Sequence, residues 1–231
     1  MNVLIAVKKF LGFIVVLAPI KTVFFNLRYL PFKDAVKFPV FVYRHTRLLQ
    51  PNGKLVITAP LHTGMIKLGH YVRGTQDERY LRTTWEIYGE IIFGGDACIG
   101  RGTSISVGKN AKLVFGENLT ISGNTEIYCH HLITIGNNCT FSWGILMMDT
   151  DFHAIKDIQT GEIINGSQPV SIGSHVWIGS RVTILKGVRL ASNMIVAAAS
   201  LVTKSFDEEY CVIAGQGKDA SVIKRNVLWE N

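Results

Sequence analysis

The chain has 231 residues, 48% of them apolar, a net charge of +7 and four scattered cysteines. That is enough for one elongated domain with a large core and an accessory segment. With Cys98, Cys129, Cys139 and Cys211 in no CxxC pair, a zinc knuckle and a disulfide framework are excluded as readings, and inert thiols in a reducing cytoplasm are expected. The charge is uneven: residues 1–54 hold nine Lys and Arg against Asp34, a net +8, and the remainder is −1. No basic stripe with interleaved aromatics marks the rest of the chain, so nucleic acid is not the expected partner.

Residues 1–40 form a basic, apolar N-terminal arm. Its longest uncharged run, residues 10–20, is flanked by Lys8, Lys9 and Lys21. Eleven residues fall short of the roughly 20 that a spanning helix needs. Pro19-Ile20-Lys21 is a poor signal-peptide cleavage site. Two readings stay open: a helix packed on the domain or across a subunit interface, and a segment lying peripherally on an anionic membrane, at its cytoplasmic face. Pro31 and Pro39 break any long helix. Residues 40–95 read as irregular first coils of a solenoid, with a turn at Pro51-Asn52-Gly53, a strand over 54–57 and an insertion near 75–82. His62 and His70 are isolated and read as surface or core residues.

From Gly94 a six-residue spacing emerges: Ile99 and Ile105; Leu113 and Leu119; Ile121, Ile127 and Ile133; Ile135, Phe141 and Met147. It breaks at 148–169, which predicts a long loop leaving the solenoid at 149–169, and such loops are usually functional. The spacing resumes for six uninterrupted blocks over 170–206, opened by Ile172, Ile178, Ile184, Leu190, Val196 and Val202. Compact partners sit four places on, at Val176, Val182, Val188, Met194 and Ser200, and Phe206 closes the series. A helix would slip out of this register within two blocks. Each block is expected to be one wall of a coil, its opener facing inward, with Gly173 and Gly179 at turns that call for positive φ. Cys211 begins a last strand, and residues 216–231 form a tail.

These blocks, above all Ile172-Gly173 through Val176-Trp177-Ile178-Gly179-Ser180, resemble the hexapeptide-repeat acyltransferases, close to the galactoside and maltose O-acetyltransferases and their polysaccharide-modifying relatives. The resemblance runs from about Ile99 to Asn226. It implies an all-β solenoid, a left-handed parallel β-helix over 41–215, and a homotrimer with sites between subunits. Residues 215–221 depart from the family's Gly-x-Pro-Ala, being longer and without proline.

The loop opens with Met148-Asp149-Thr150-Asp151-Phe152-His153. In an extended segment Asp149, Asp151 and His153 share one face, and an imidazole beside carboxylates suits a general base. The resemblance gives His153 the role of taking a proton from an acceptor hydroxyl, with Asp151 or Asp149 orienting it, while acetyl-CoA donates the acetyl group directly. It places coenzyme A along the late coils at Gly179, Ser180, Ala197, Ala198 and Thr203, with Ala199 nearby and Lys204, Lys224 and Arg225 facing phosphates. Asn124 and Trp143 are the candidates for acceptor contact, and Trp177 is a similar aromatic. No acyl-enzyme nucleophile is needed, and Cys139 reads as a small inward residue. The two carboxylates and His153, with His130-His131 from a neighbouring coil, are the rival metal set, but no metal is expected. N-acetylation of an amino sugar and a non-catalytic scaffold are the rival functions. A zinc-dependent γ-type carbonic anhydrase would need histidines in ligand spacing across coils, which this repeat lacks.

Overall fold

The computed structural model describes residues 17–70 and 81–230. The insertion expected near 75–82 and the first part of the arm fall largely outside the described residues. The described chain winds into a left-handed parallel β-helix whose three walls recur in strict rotation. The first wall has eight parallel strands, from Val40–Val42 to Cys211–Ala214, and a ninth, Ser221–Arg225, added antiparallel. The second has seven, from Thr46–Pro51 to Leu201–Val202, and the third six, from Lys54–Ile57 to Arg189–Leu190.

Each wall is built from inward aliphatic or aromatic residues stacked on their counterparts one coil away. In the first wall the register runs Val42, Leu68, Ile99, Ile121, Phe141, Ile178, Val196, Ile213, and none has accessible surface. Trp85, Ile105, Ile127, Met147, Ile184 and Val202 do the same in the second wall, and Phe93, Phe115, Ile135, Ile172 and Leu190 in the third. One coil alone covers none of these side chains, so the core exists only as a stack. The coil already runs from Val40, well before the six-residue spacing emerges. The early openers are eight apart at some corners, as from Ile105 to Leu113 and from Leu113 to Ile121, and bulges interrupt Leu48/Gln50 and Leu68/His70.

The glycine expectation is corrected. Neither Gly173 nor Gly179 has positive φ. A Cβ on Gly173 would lie 2.6 Å from the Ala191 carbonyl carbon and the Ser192 nitrogen, and one on Gly179 would lie 2.6 Å from the Ala198 nitrogen. These residues let main chain meet main chain between coils. Positive φ falls elsewhere, on two columns of corner residues. Asn118, Asn138, His175, Asn193 and Tyr210 form one; Gly102, Asn124, Gly144, Arg181 and Ala199 form the other. Asparagine tolerates that conformation better than most side chains, and the first column gains hydrogen bonds such as Asn118 Nδ2 to Asn138 Oδ1 at 3.0 Å.

Both ends of the first wall are covered. Helix α1 (Pro19–Tyr29) starts with proline in its first turn and caps the first coil with polar side chains standing in for a strand. Asn26 donates to the Val40 carbonyl and accepts from its N–H, and Thr22 serves both groups of Val42. At the other end the antiparallel strand Ser221–Arg225 lies along Cys211–Ala214 and covers an edge that the tail was not expected to reach as a strand. Trp229 stacks on His175 with centroids 4.5 Å apart and donates to its carbonyl.

Gly173→Ala is expected to cost about 1–3 kcal/mol of stability, because backbone rather than a flexible side chain must yield. Gly166→Ala, in the loop with no atom within 4 Å of the added carbon, is expected to stay within about 0.5 kcal/mol of wild type. Denaturant melts of the two variants check this.

Candidate active site

The chain leaves the coil after the second-wall strand Leu146–Met148 and returns at the third-wall strand Val170–Ile172. The excursion is thus planted at the corner between these walls. Its first residue, Asp149, is fully buried. Its two carboxylate oxygens accept from the N–H groups of His130 and His131, at 2.7 and 2.8 Å. Asp149 therefore clamps the corner of the preceding coil to the root of the loop.

Asp151 faces the other way, into a tie that holds the loop's two legs. Its Oδ2 accepts from Lys186 Nζ and from Asn165 Nδ2. Lys186 also donates to the Asn165 carbonyl, and Asn165 donates to the His153 carbonyl and accepts from the Ile155 N–H. Hydrogen bonds from Lys186 and then Asn165 hold the Asp151 carboxyl below the usual carboxylate range. Beyond the tie, Ile155 and Ile164 pair across a small hairpin whose turn is fixed by Asp157 accepting from the Gln159 and Thr160 N–H groups.

His153 stands exposed at the mouth of the loop, its N–H donating to the Asp151 carbonyl at 2.7 Å. The expectation that Asp149 or Asp151 orients its ring is corrected: both carboxylates are engaged elsewhere, and neither bonds to that ring. The physical reason is Phe152, whose φ of +62° breaks the extended run that would have put 149, 151 and 153 on one face. The Phe152 ring packs edge-on against Tyr128 and His130. Asn165 and Lys186, which do the positioning, were not found from sequence. Neither sits in a local pattern; they meet Asp151 only through the coil. Among the described residues no group of three or more His, Cys, Asp or Glu is arranged to hold a metal.

The remaining candidates lie at other places. Gly179, Ser180, Ala197, Ala198, Asn124 and Trp143 occupy the corner between the first and second walls. Ala198 and Ala199 are exposed there and present a smooth ledge. Asn124 takes a corner position with φ of +48°, which by itself accounts for an asparagine. Trp143 is half-exposed, and Trp177 donates to Ser142 Oγ. Thr203 and Lys204 follow the last second-wall strand, and Lys204 donates to the Lys218 carbonyl. Lys224 and Arg225 lie on the antiparallel strand, where Lys224 is exposed and Arg225 is paired with Glu208 through two hydrogen bonds. Within one chain, then, the alanine ledge and His153 lie at opposite corners of the second wall, roughly 16 Å apart for about five residues at ~3.3 Å each.

The thiols are poor nucleophiles. Cys129, Cys139 and Cys211 are buried and Cys98 is partly so. Burial raises the pKa of all four, that of Cys139 to about 11.

Because the folded Asp151 carboxyl has a lowered pKa, the tie is fully present above the unfolded value near 4 and is lost as pH falls through the lower folded value. Lys186→Met is expected to raise amide exchange across 151–165 at pH 7 by about 2- to 5-fold, the range for a partly screened ion pair. Wild type should show equivalent loosening only in acid, below that carboxyl's titration, as read by limited proteolysis with pepsin.

Residues 169–204 match the family model described as the hexapeptide repeat of succinyl-transferase. A polysialic acid O-acetyltransferase of Escherichia coli O1:K1 / APEC is 33% identical over 122 residues, 52% of this chain and 39% of that protein. Another, of Neisseria meningitidis, is 44% identical over 70 residues, 29% of this chain and 33% of that protein. The chain thus spans less than half the length of either curated relative. Among solved structures, the polySia-specific acetyltransferase NeuO has a TM-score of 0.55 at 27% identity, covering 80% of this chain and 72% of that one. Coil, repeat and relatives agree: the chain carries the hexapeptide repeat, and its likeness is to the acetyltransferases built on that repeat.

Proposed function

We propose that the protein is an O-acetyltransferase that moves an acetyl group from acetyl-CoA to a hydroxyl of a carbohydrate, within polysaccharide or glycoconjugate assembly. The observation that carries this reading is a loop bearing His153 that leaves the coil between Met148 and Val170, in a chain 33% identical over 122 residues to a polysialic acid O-acetyltransferase. An exposed imidazole on a loop whose legs are tied by Asn165 and Lys186 is a suitable base for a hydroxyl brought from solvent.

In this mechanism a ring nitrogen of His153 takes the proton of the acceptor hydroxyl as its oxygen attacks the thioester carbonyl carbon. The C–O bond forms, the C–S bond breaks, and the thiolate leaves with a proton returned from the imidazolium. Asp151 holds the main chain of His153 through the loop tie, which makes it a positioning residue. Asp149 fixes the root of the loop. The exposed alanine ledge, with Gly179 and Ser180, fits the narrow pantetheine arm, and Lys204 and Lys224 fit the phosphates. Arg225, already paired with Glu208, would have to exchange that partner. Asn124 and Trp143 would contact the acceptor.

The separation of ledge and His153 within one chain favours a homotrimer in which the loop of one subunit meets the ledge of the next. Heterologous contacts that close on a threefold axis bring unlike surfaces together in this way. Ile158, 99% exposed at the loop tip, and the exposed Ile155, Ile163 and Ile164 supply apolar surface for such a contact. The basic arm would hold the enzyme at an anionic membrane face, near lipid-linked acceptors. No helix among the described residues is long and apolar enough to cross a membrane.

His153→Ala is expected to lower acceptor-dependent thiol release from acetyl-CoA by about 100-fold or more, with coenzyme A affinity retained. Equal rates would remove His153 from the mechanism. Product NMR distinguishes an ester on oxygen from an amide on nitrogen, and an amide would convert the reading to amino-sugar N-acetylation.

A further inference from the structure

Helix α1 has two apolar faces, and only one is used by the coil. Phe25 and Tyr29 turn inward with Thr22 and Asn26, and the Tyr29 hydroxyl accepts from Trp85 Nε1. The opposite stripe, Ile20, Val23, Phe24 and Leu27, keeps the helical spacing i, i+3, i+4, i+7 and stands in solvent, from 42% exposed at Val23 to 86% at Ile20. Phe32 and Val36, exposed just beyond the helix, continue the apolar surface. Single exposed apolar residues are ordinary, but a contiguous patch marks an interaction surface.

Beside this stripe lies an open cleft of about 290 Å³, lined by Lys21, Arg44, His45, Thr46, Arg47 and Arg82. Among the described residues that line it, four of six are cations at neutral pH and none is a carboxylate. Lys21 belongs to both features. It is on helix α1, one turn from Phe24, and its Nζ donates to the carbonyls of Arg44 and Thr46 at 3.4 and 2.6 Å. Stripe and cleft are therefore fixed to each other. Arg28, Lys33 and Lys37 are exposed around the patch, and the one nearby acid in sequence, Asp34, is already paired with Lys37.

We propose that α1 and the corner at 44–47 form a docking face for an anionic lipid bilayer, in which the stripe enters the headgroup layer and the cleft receives a lipid phosphate. The proposal rests on the membrane-facing reading of the arm given above and assigns the site responsible. An apolar stripe bordered by cations is the surface that lies in an anionic interface, and the two signals together give stable attachment where either alone gives marginal binding. Charge complementarity favours this occupant over a second copy of the chain. A second copy carries the same net charge of +7, with its residues 55–231 nearly balanced at −1, so it brings no net negative charge to the face.

The test is cosedimentation of the full chain with phosphatidylcholine vesicles and with mixed phosphatidylcholine and phosphatidylglycerol vesicles. Wild type is expected to bind the mixed vesicles and not the neutral ones. The triple variant Arg44→Gln, Arg47→Gln, Arg82→Gln and the double variant Phe24→Ser, Leu27→Ser are each expected to weaken that binding about 10-fold or more, with unchanged thermal melts. A triple variant that binds like wild type removes the cleft from the account even if the arm meets the membrane. Wild type binding neither vesicle overturns the proposal and the membrane reading together, while acetyl transfer to a soluble acceptor is scored separately. A change of oligomer mass in the double variant, measured by sedimentation, identifies the stripe as a contact between copies and overturns the proposal.

Discussion

Everything in this molecule follows from how closely one coil sits on the next. Parallel strands stack with their inward side chains in register, and corners bring main chain against main chain where Gly173 and Gly179 leave no room for a Cβ. That spacing admits only one-residue bulges inside a wall, as at Leu48/Gln50 and Leu68/His70, so a longer stretch of extra chain leaves at a corner and outward. The loop at 149–169 obeys this rule. So do the two ends, where an open coil would expose unpaired strand edges and hydrophobic side chains. Asn26 and Thr22 satisfy one edge and the Ser221–Arg225 strand the other.

The same constraint decides what was legible in the sequence. Ile172, Ile178, Ile184, Leu190, Val196 and Val202 are all inward, because strands of two or three residues joined by uniform corners leave a pure six-residue spacing. The earlier coils have longer strands and wider corners, which blur that spacing before Ile99 and leave only turn and strand signals to mark the first coils. The corner conformation was assigned to the wrong positions: Gly173 and Gly179 are needed for close approach, while positive φ goes to residues such as Asn118, Asn138, Asn193 and Gly144. The capping role of Asn26 was invisible because its partner, Val40, is a strand edge that exists only after folding.

The loop shows the limit of reading local alternation. Asp149, Asp151 and His153 are two apart, which suggests a shared face, yet a single left-handed residue at Phe152 divides them. The carboxylates became structural ties, one buried under His130 and His131 and one bridged to Lys186. What is left at the mouth is an imidazole held by its backbone. That arrangement suits a base that must accept a proton from an incoming hydroxyl and return it within one turnover, without a nucleophile from the protein. The cysteines agree with direct transfer, since burial raises their pKa and keeps them as thiols.

Direct transfer is the claim on which the functional account stands. Intact-mass measurement of the full chain after incubation with acetyl-CoA, first alone and then with a carbohydrate acceptor, tests it most directly. The account predicts an unmodified protein mass in both conditions, and thiol release only once the acceptor is added. A protein that gains one acetyl group from acetyl-CoA alone and loses it on addition of the acceptor would contradict the account, because the group would then have passed through a side chain of the enzyme.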